Sequence, residues 1–146
     1  GLDVPHEMNG HSLLPWMSGA TPEVWRNAVF WEFDFRDPPG QKPERALGIT
    51  SDQATLNVIR DTRFKYVHFT GLPPLLYDLQ KDPGELVNVV ADRAYGAVVA
   101  EYAQKLLSHR MLHAERSLAN AMLTPTGVQY HRGPRGHVPG WAGAPD

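Results

Sequence analysis

Cysteine is missing from all 146 residues of this chain. That excludes disulfides, thiolate zinc sites and a cysteine nucleophile within it, and it assigns no compartment. Long apolar runs are missing too, so no membrane partner is expected. The opening Gly1-Leu2-Asp3-Val4-Pro5-His6-Glu7 lacks the basic-then-apolar order of a secretory signal. It also lacks an initiator Met, which reads as a segment processed or cut from a longer polypeptide; no localisation follows from it. Charge of one sign is scarce: the net charge is −2 and the pI about 6.4. Such a balance implies no general polyanion-binding surface and no nucleic-acid partner. A P-loop, a paired-glycine dinucleotide motif and a Gly-x-Ser-x-Gly elbow are all absent.

The apolar fraction, 42%, is that of an ordinary globular protein, and the length suits one domain with a real core. The opening stretch, residues 1–21, reads as an irregular connector. Pro5, Gly10, Pro15 and Gly19 punctuate it, and a short helical turn over Leu13 to Met17 carries apolar anchors that dock on something. The run Ala28 to Phe35 alternates with period 2, placing Val29, Trp31, Phe33 and Phe35 on one face and Glu32 and Asp34 on the other, which predicts a half-buried strand. A breaker, Asp37-Pro38-Pro39-Gly40, opens a long loop to Gln53 of the kind that is functional or mobile.

Two β-rich runs follow, Ala54 to Arg60 and Phe64 to Phe69, separated by Asp61-Thr62-Arg63. This suits a hairpin, although no glycine supplies a left-handed position. Leu75 to Leu79 is a further short strand, Asp82-Pro83-Gly84-Glu85 a turn, and Glu85 to Val90 fits one helical turn. With Asp92 as N-cap, the apolar spacing of Val99, Ala103, Leu106, Leu107, Met111, Ala114, Leu118, Ala121 and Met122 predicts one long helix from Tyr95 to about Met122, stopped by Pro125 and Gly127.

The expected fold class is therefore α+β: a small antiparallel sheet of about four strands packed against one long C-terminal helix. This domain covers residues 1–123. The Gly/Pro-rich tail, residues 124–146, is expected to be irregular, partly disordered or bound to a partner.

Few residues are placed to do chemistry. His109 and His113 lie four apart on the predicted helix and share a face, but zinc normally takes a third protein ligand, and Glu115 falls on another face. A polar helix face accounts for them. Glu32 and Asp34 could pair as acid and base; facing solvent, or pairing with Arg60 or Lys65 across the sheet, is favoured. Lys65, Arg60 and Arg63 could hold an anion, but alternation puts Lys65 and Tyr66 on opposite faces, which favours structural ion pairing. Asp78, Asp82, Glu85 and Asn88 do not match an EF-hand and read as turn caps. The basic stretch Tyr130 to His137 is too short for a nucleic-acid surface and reads as a docking arm for a neighbouring subunit. No catalytic, cofactor-binding or metal-binding residue is assigned.

Several motifs recur in a telling order: Gly10-His11-Ser12-Leu13-Leu14-Pro15, then Val58-Ile59-Arg60-Asp61-Thr62-Arg63-Phe64-Lys65-Tyr66-Val67, then Leu76-Tyr77-Asp78-Leu79 through Asp82-Pro83-Gly84-Glu85 and Asn88. In this order and spacing they resemble the C-terminal subdomain of sulfatases in the alkaline phosphatase superfamily. Glu32-Phe33-Asp34-Phe35-Arg36-Asp37 and Leu72-Pro73-Pro74-Leu75 look closer to the phosphonate monoester hydrolase and arylsulfatase subgroup. The resemblance covers roughly Gly1 to Ser117.

The resemblance implies a parent that hydrolyses sulfate, phosphate or phosphonate esters. Such a parent uses a divalent cation and a formylglycine made from a Cys/Ser-x-Pro-x-Arg motif, which this chain lacks. The expected partner is thus the N-terminal catalytic domain of the same parent. A homo-oligomer through tail and helix is a second expectation. The fragment alone is predicted inactive. A stand-alone interaction module, and a small enzyme using His109 and His113, are the competing readings.

Overall fold

The computed structural model describes residues 11–113 and 121–130. Two units make up the chain: Ala28–Ser108, and the two ends Gly1–Asn27 with His109–Asp146. The central unit is a four-stranded antiparallel meander in the order β1 (Val29–Asp34), β2 (Thr55–Arg60), β3 (Phe64–Phe69), β4 (Leu75–Asp78), and it ends on the helix α3 (Gly96–His113), of which it holds the residues up to Ser108. The α+β expectation holds.

The register explains the core. Phe30 lies opposite Ile59, Ile59 opposite Tyr66, and Tyr66 opposite Leu76, so one apolar row crosses all four strands on one face. Ile59, Phe64, Tyr66 and Leu76 form one buried cluster with Tyr102 and Leu106 of α3, and Phe30, Val90, Val99 and Ala103 pack against it. Full burial of Ile59 and of Leu76 contributes about 1.5–3 kcal/mol each. Phe64 meets Tyr95 and Tyr102 edge-on, with ring centroids 6.0 and 5.6 Å away. Such a T-shaped geometry suits aromatic quadrupoles.

The first strand departs from expectation. Phe30 is the residue that faces the helix, and Val29, Trp31 and Phe33 lie on the opposite face and are exposed. The period-2 pattern separated the two faces correctly but could not tell which one meets the helix.

The Asp61-Thr62-Arg63 turn closes without a left-handed residue, because among the described residues only Gln41 and Glu85 are non-glycines with positive φ. The Asp61 carboxylate replaces it: one oxygen accepts the Arg63 amide at 2.7 Å and the Phe64 amide at 2.8 Å. This is an Asx turn, in which a side chain supplies the acceptor that a backbone turn would otherwise need.

The long loop after β1 is structured. It holds α2 (Lys42–Leu47) and a short 3-10 turn, Ser51–Gln53. Thr50 and Gln53 form a capping box on that turn. Glu44 is buried, and its Oε1 accepts the Asp37 amide at 3.1 Å and the Ser51 hydroxyl at 2.9 Å, which staples both ends of the loop to α2. A glycine C-cap, Gly48 at φ 68°, ends α2 in the left-handed conformation that glycine adopts without steric cost.

No helical turn forms over Glu85 to Val90. Instead Glu85 takes φ 56°, and Asp82 and Asn88 bind the backbone that follows them. Asp92 does cap, accepting the Ala94 amide at 2.9 Å at the 3-10 turn that leads into α3.

In the second unit, α1 (Leu14–Met17) carries Pro15 in its first turn and ends before Gly19 at φ 79°. Leu13, Leu14, Trp16 and Met17 are exposed. The helix expected to reach Met122 is described only to His113; Ala121 and Met122 belong to a strand, β5 (Ala121–Thr124), which pairs with β6 (Gly127–Tyr130). Pro125, Thr126 and Gly127 therefore punctuate a hairpin rather than stop a helix. Helical spacing over Ala121-Met122 misled because two apolar neighbours satisfy either period. Ala114, Glu115 and Leu118 of the predicted helix, and the basic stretch from His131 to His137, lie outside the described residues, as do Gly1 to Gly10.

Candidate functional site

The sheet has two unlike faces. The helix-side face is apolar across Phe30, Ile59, Tyr66 and Leu76 but turns polar two residues further along, where Glu32 lies opposite Asn57 and Asn57 opposite His68. Tyr66 Oη and His68 Nδ1 are 3.3 Å apart. Burial pushes the Tyr66 hydroxyl above its ordinary pKa, so it stays protonated at neutral pH. Beyond this row, the Thr55 and Thr70 hydroxyls share a bond of 2.6 Å.

Glu32 and Asp34 do not reach Arg60 or Lys65, which project from the other face. Asp34 takes Arg36 instead, with Nε at 2.8 and 3.0 Å. This hydrogen bond holds the Asp34 carboxyl below the usual range. The two carboxylates thus do not form an acid–base pair: one is committed to an arginine, and the alternate residue lies in the Asn57–His68 row.

On the opposite face, Lys65 ion-pairs with Glu85 and sits 6.0 Å from the Trp31 ring and 5.9 Å from that of Tyr77. The structural ion pairing expected of Lys65 is what forms, with a cation–π cradle around it. The left-handed backbone of Glu85 belongs to the turn that presents its carboxylate to Lys65.

Three of the four turn residues, Asp78, Asp82 and Asn88, are engaged as caps, whereas Glu85 is taken by Lys65. Asp78 is buried and accepts the Tyr95 hydroxyl at 3.0 Å. Burial opposes its ionisation, but this bond and the amides of Lys81 and Gln80 outweigh it and keep the carboxyl below its ordinary pKa. Asp82 accepts the Val87 amide, and the Asn88 Oδ1 accepts the amides of Leu76 and Val90 at 2.9 and 3.1 Å.

His109 and His113 do come together, with ring centroids 4.5 Å apart. Burial, then the neighbouring His113, pushes the His109 pKa down to about 4, so its imidazole is neutral at physiological pH. Among the described residues, no group of three or more His, Asp or Glu could hold a metal ion.

A link that residue patterns did not reveal joins Tyr102 of α3 to Asp61, whose second oxygen accepts its hydroxyl. The hairpin turn is thereby fastened to the helix. Burial raises the Tyr102 pKa and so does the Asp61 bond. A tyrosine within the helical stripe, facing a turn aspartate, was the available signal. Trp25 is a second such residue: its ring meets Trp16 edge-on at 5.7 Å and His11 at 6.0 Å, with the Arg26 guanidinium 5.3 Å away.

The described architecture is thus a small antiparallel meander with one long helix packed against it. The chain belongs to the sulfatase family: the model for the C-terminal domain of N-sulphoglucosamine sulphohydrolase matches residues 1–112. Among its relatives is the multifunctional alkaline phosphatase superfamily protein PehA of Trinickia caryophylli, 43% identical over 88% of this chain and 25% of the relative. A Delta 4,5-hexuronate-2-O-sulfatase of Bacteroides thetaiotaomicron is 31% identical over 70% of this chain and 19% of that protein. The crystal structure of the phosphonate monoester hydrolase of Agrobacterium radiobacter superposes with a TM-score of 0.71 at 55% identity, covering 85% of this chain and 25% of that one. The phosphonate monoester hydrolase of Silicibacter pomeroyi superposes with a TM-score of 0.73 at 32% identity, covering 89% and 26%. The chain spans about a quarter of the length of these relatives or less.

Among the described residues no group of three or more His, Asp or Glu fits a divalent cation, and the sequence holds no formylglycine precursor motif. The chain has neither Cys nor Ser-x-Pro-x-Arg to become formylglycine, and its turn carboxylates are engaged by amides, hydroxyls and Lys65.

Proposed function

We propose that this chain is the non-catalytic C-terminal part of a hydrolase of sulfate, phosphate or phosphonate esters. It braces the catalytic domain and shapes one wall of its substrate cleft. The observation that carries this reading is one of proportion: 85% of the chain aligns, at 55% identity, with only a quarter of a phosphonate monoester hydrolase. The exposed Leu13, Leu14, Trp16 and Met17 support a connector built to dock. The divalent cation and the formylglycine belong, on this reading, to the parent's remaining residues. Leu107 and Met111, both exposed and one turn apart on α3, favour additional self-association through the helix.

The test compares two preparations, this chain alone and the longer polypeptide that carries it. Each is assayed with a phosphonate monoester and an aryl sulfate in the presence of divalent cations. Turnover by the longer polypeptide only is expected. Divalent-dependent turnover by the chain alone overturns the proposal, as does a longer polypeptide that hydrolyses none of these esters.

A further inference from the structure

Glu101, Lys105, His109 and His113 follow one another at four-residue steps and form one stripe along α3. The first two pair with each other. Lys105 Nζ lies 2.6 Å from the Glu101 carboxylate and 4.7 Å from the centre of the Tyr102 ring, so its charge leans towards the helix N-terminus and away from His109. The second two are half-buried imidazoles, with ring centroids 4.5 Å apart and planes tilted by 50°. An imidazole nitrogen binds a transition metal at about 2.0–2.1 Å, which sets each ring centroid about 3.2 Å from the ion. Centroids 4.5 Å apart then subtend about 90° at a shared ion, whereas a tetrahedral site would spread them to about 5.2 Å. A right angle is the cis arrangement of tetragonal Cu2+ and Ni2+.

We infer that His109 and His113 form a two-imidazole chelate for a divalent cation of the copper and nickel type. One nitrogen of each ring is enough, which leaves the other for a further contact that fixes the ring. Both residues lie on the same helix and in the same unit, so their spacing is set before an ion arrives. No third His, Asp or Glu joins them among the described residues, and water fills the remaining positions. Ligand type excludes hard Mg2+ and Ca2+, which take oxygen. Arg110, next in sequence to His109, opposes any dication, so only an ion with a strong bond to imidazole is held. Cu2+ leads that order, followed by Ni2+, while the right angle disfavours Zn2+. The pair binds this ion whether or not the parent hydrolyses esters.

The experiment is a Cu2+ titration of the longer polypeptide that carries this chain, stripped of metal with a chelator beforehand and read by electron paramagnetic resonance. One ion per chain with two imidazole nitrogens in its coordination shell is expected. That signature should disappear in His109→Gln and in His113→Gln, where affinity falls roughly 100-fold with loss of the chelate. A two-imidazole ion that persists in both variants belongs elsewhere in the polypeptide and overturns the inference, as does its absence from the unaltered protein. Should either variant fail to fold, the unaltered protein decides by itself. Cu2+ should then slow diethylpyrocarbonate modification of His109 and His113 together, in step with loading, read by mass spectrometry at single residues. Protection of one without the other, or of neither, overturns the inference.

Discussion

Removing the Tyr102 hydroxyl should loosen the fold by an amount that depends on Asp61 and on pH. The hydroxyl donates to a carboxylate that also accepts two turn amides. A hydrogen bond to a charged partner is worth about 1.5–3 kcal/mol, so Tyr102→Phe should destabilise by about that much. Asp61→Ala removes all three bonds and should cost about 3–4 kcal/mol, less than their sum because the turn amides can recover water. A double-mutant cycle isolates the shared bond, with an expected coupling of about 1.5–3 kcal/mol. With a urea m-value of about 1–1.5 kcal/mol/M for a fold of this size, the Tyr102→Phe midpoint drops by roughly 1–2 M.

The pH dependence follows from the lowered pKa of Asp61, whose ordinary value is 3.8. Burial opposes ionisation there, but the Tyr102 hydroxyl and the Phe64 and Arg63 amides outweigh it. A carboxyl with a depressed folded pKa binds fewer protons in the folded state. Its stabilisation is therefore present above pH 3.8 and is lost as pH falls through the lower, folded value. Coupling measured at pH 7 should shrink markedly at pH 2. A coupling below about 0.5 kcal/mol at neutral pH, within the additivity of independent sites, would refute the reasoning.

Leu76→Ala opens a cavity at a fully buried position and should cost about 2–5 kcal/mol in urea unfolding, whereas Leu107→Ala on the exposed side of α3 should change stability by no more than about 0.5 kcal/mol. Gln41→Gly relieves a left-handed backbone at φ 50° worth about 1–2 kcal/mol against about 0.4–1 kcal/mol of added unfolded-state entropy, so a net gain of about 0.5–1 kcal/mol should appear as a raised Tm. His109, with its pKa pushed from 6.5 to about 4, stays neutral in the fold while the unfolded chain takes up a proton; stability should decline as pH falls from 6.5 towards 4, and His109→Leu should flatten that decline in a pH series of thermal melts.

The strands were legible because β-branched and aromatic residues alternate between recognisable breakers, and each run from Ala54 to Leu79 became a strand. The turn acids were legible as caps because a short carboxylate beside its own backbone has few other options. What a local pattern cannot carry is the direction of a face. Val29, Trp31 and Phe33 alternate as a buried face would, yet Phe30 is the one aligned with Ile59 and the helix, a fact set by cross-strand register. Tyr102 escaped the stripe of aliphatic residues because aromatics fit either a helix core or a hydrogen-bonded rim. The end of α3 was misjudged where Ala121-Met122 fit two periods at once. Of the candidate site, the Lys65 ion pairing and the Asp and Asn caps were legible, whereas the Tyr102–Asp61 link was not, because it joins residues far apart in sequence.

Asn88 has a structural effect beyond its own turn. Its side chain takes the outward amide of Leu76, and the next residue's amide donates to the Leu76 carbonyl at 2.9 Å, so backbone groups that β4 would offer a newcomer are already occupied. A templating rim is thereby sealed from within the chain. Fibrillar stacking needs each molecule to be receptive on two sides, and this one is blunted on one of them, so lateral propagation through the meander stops there.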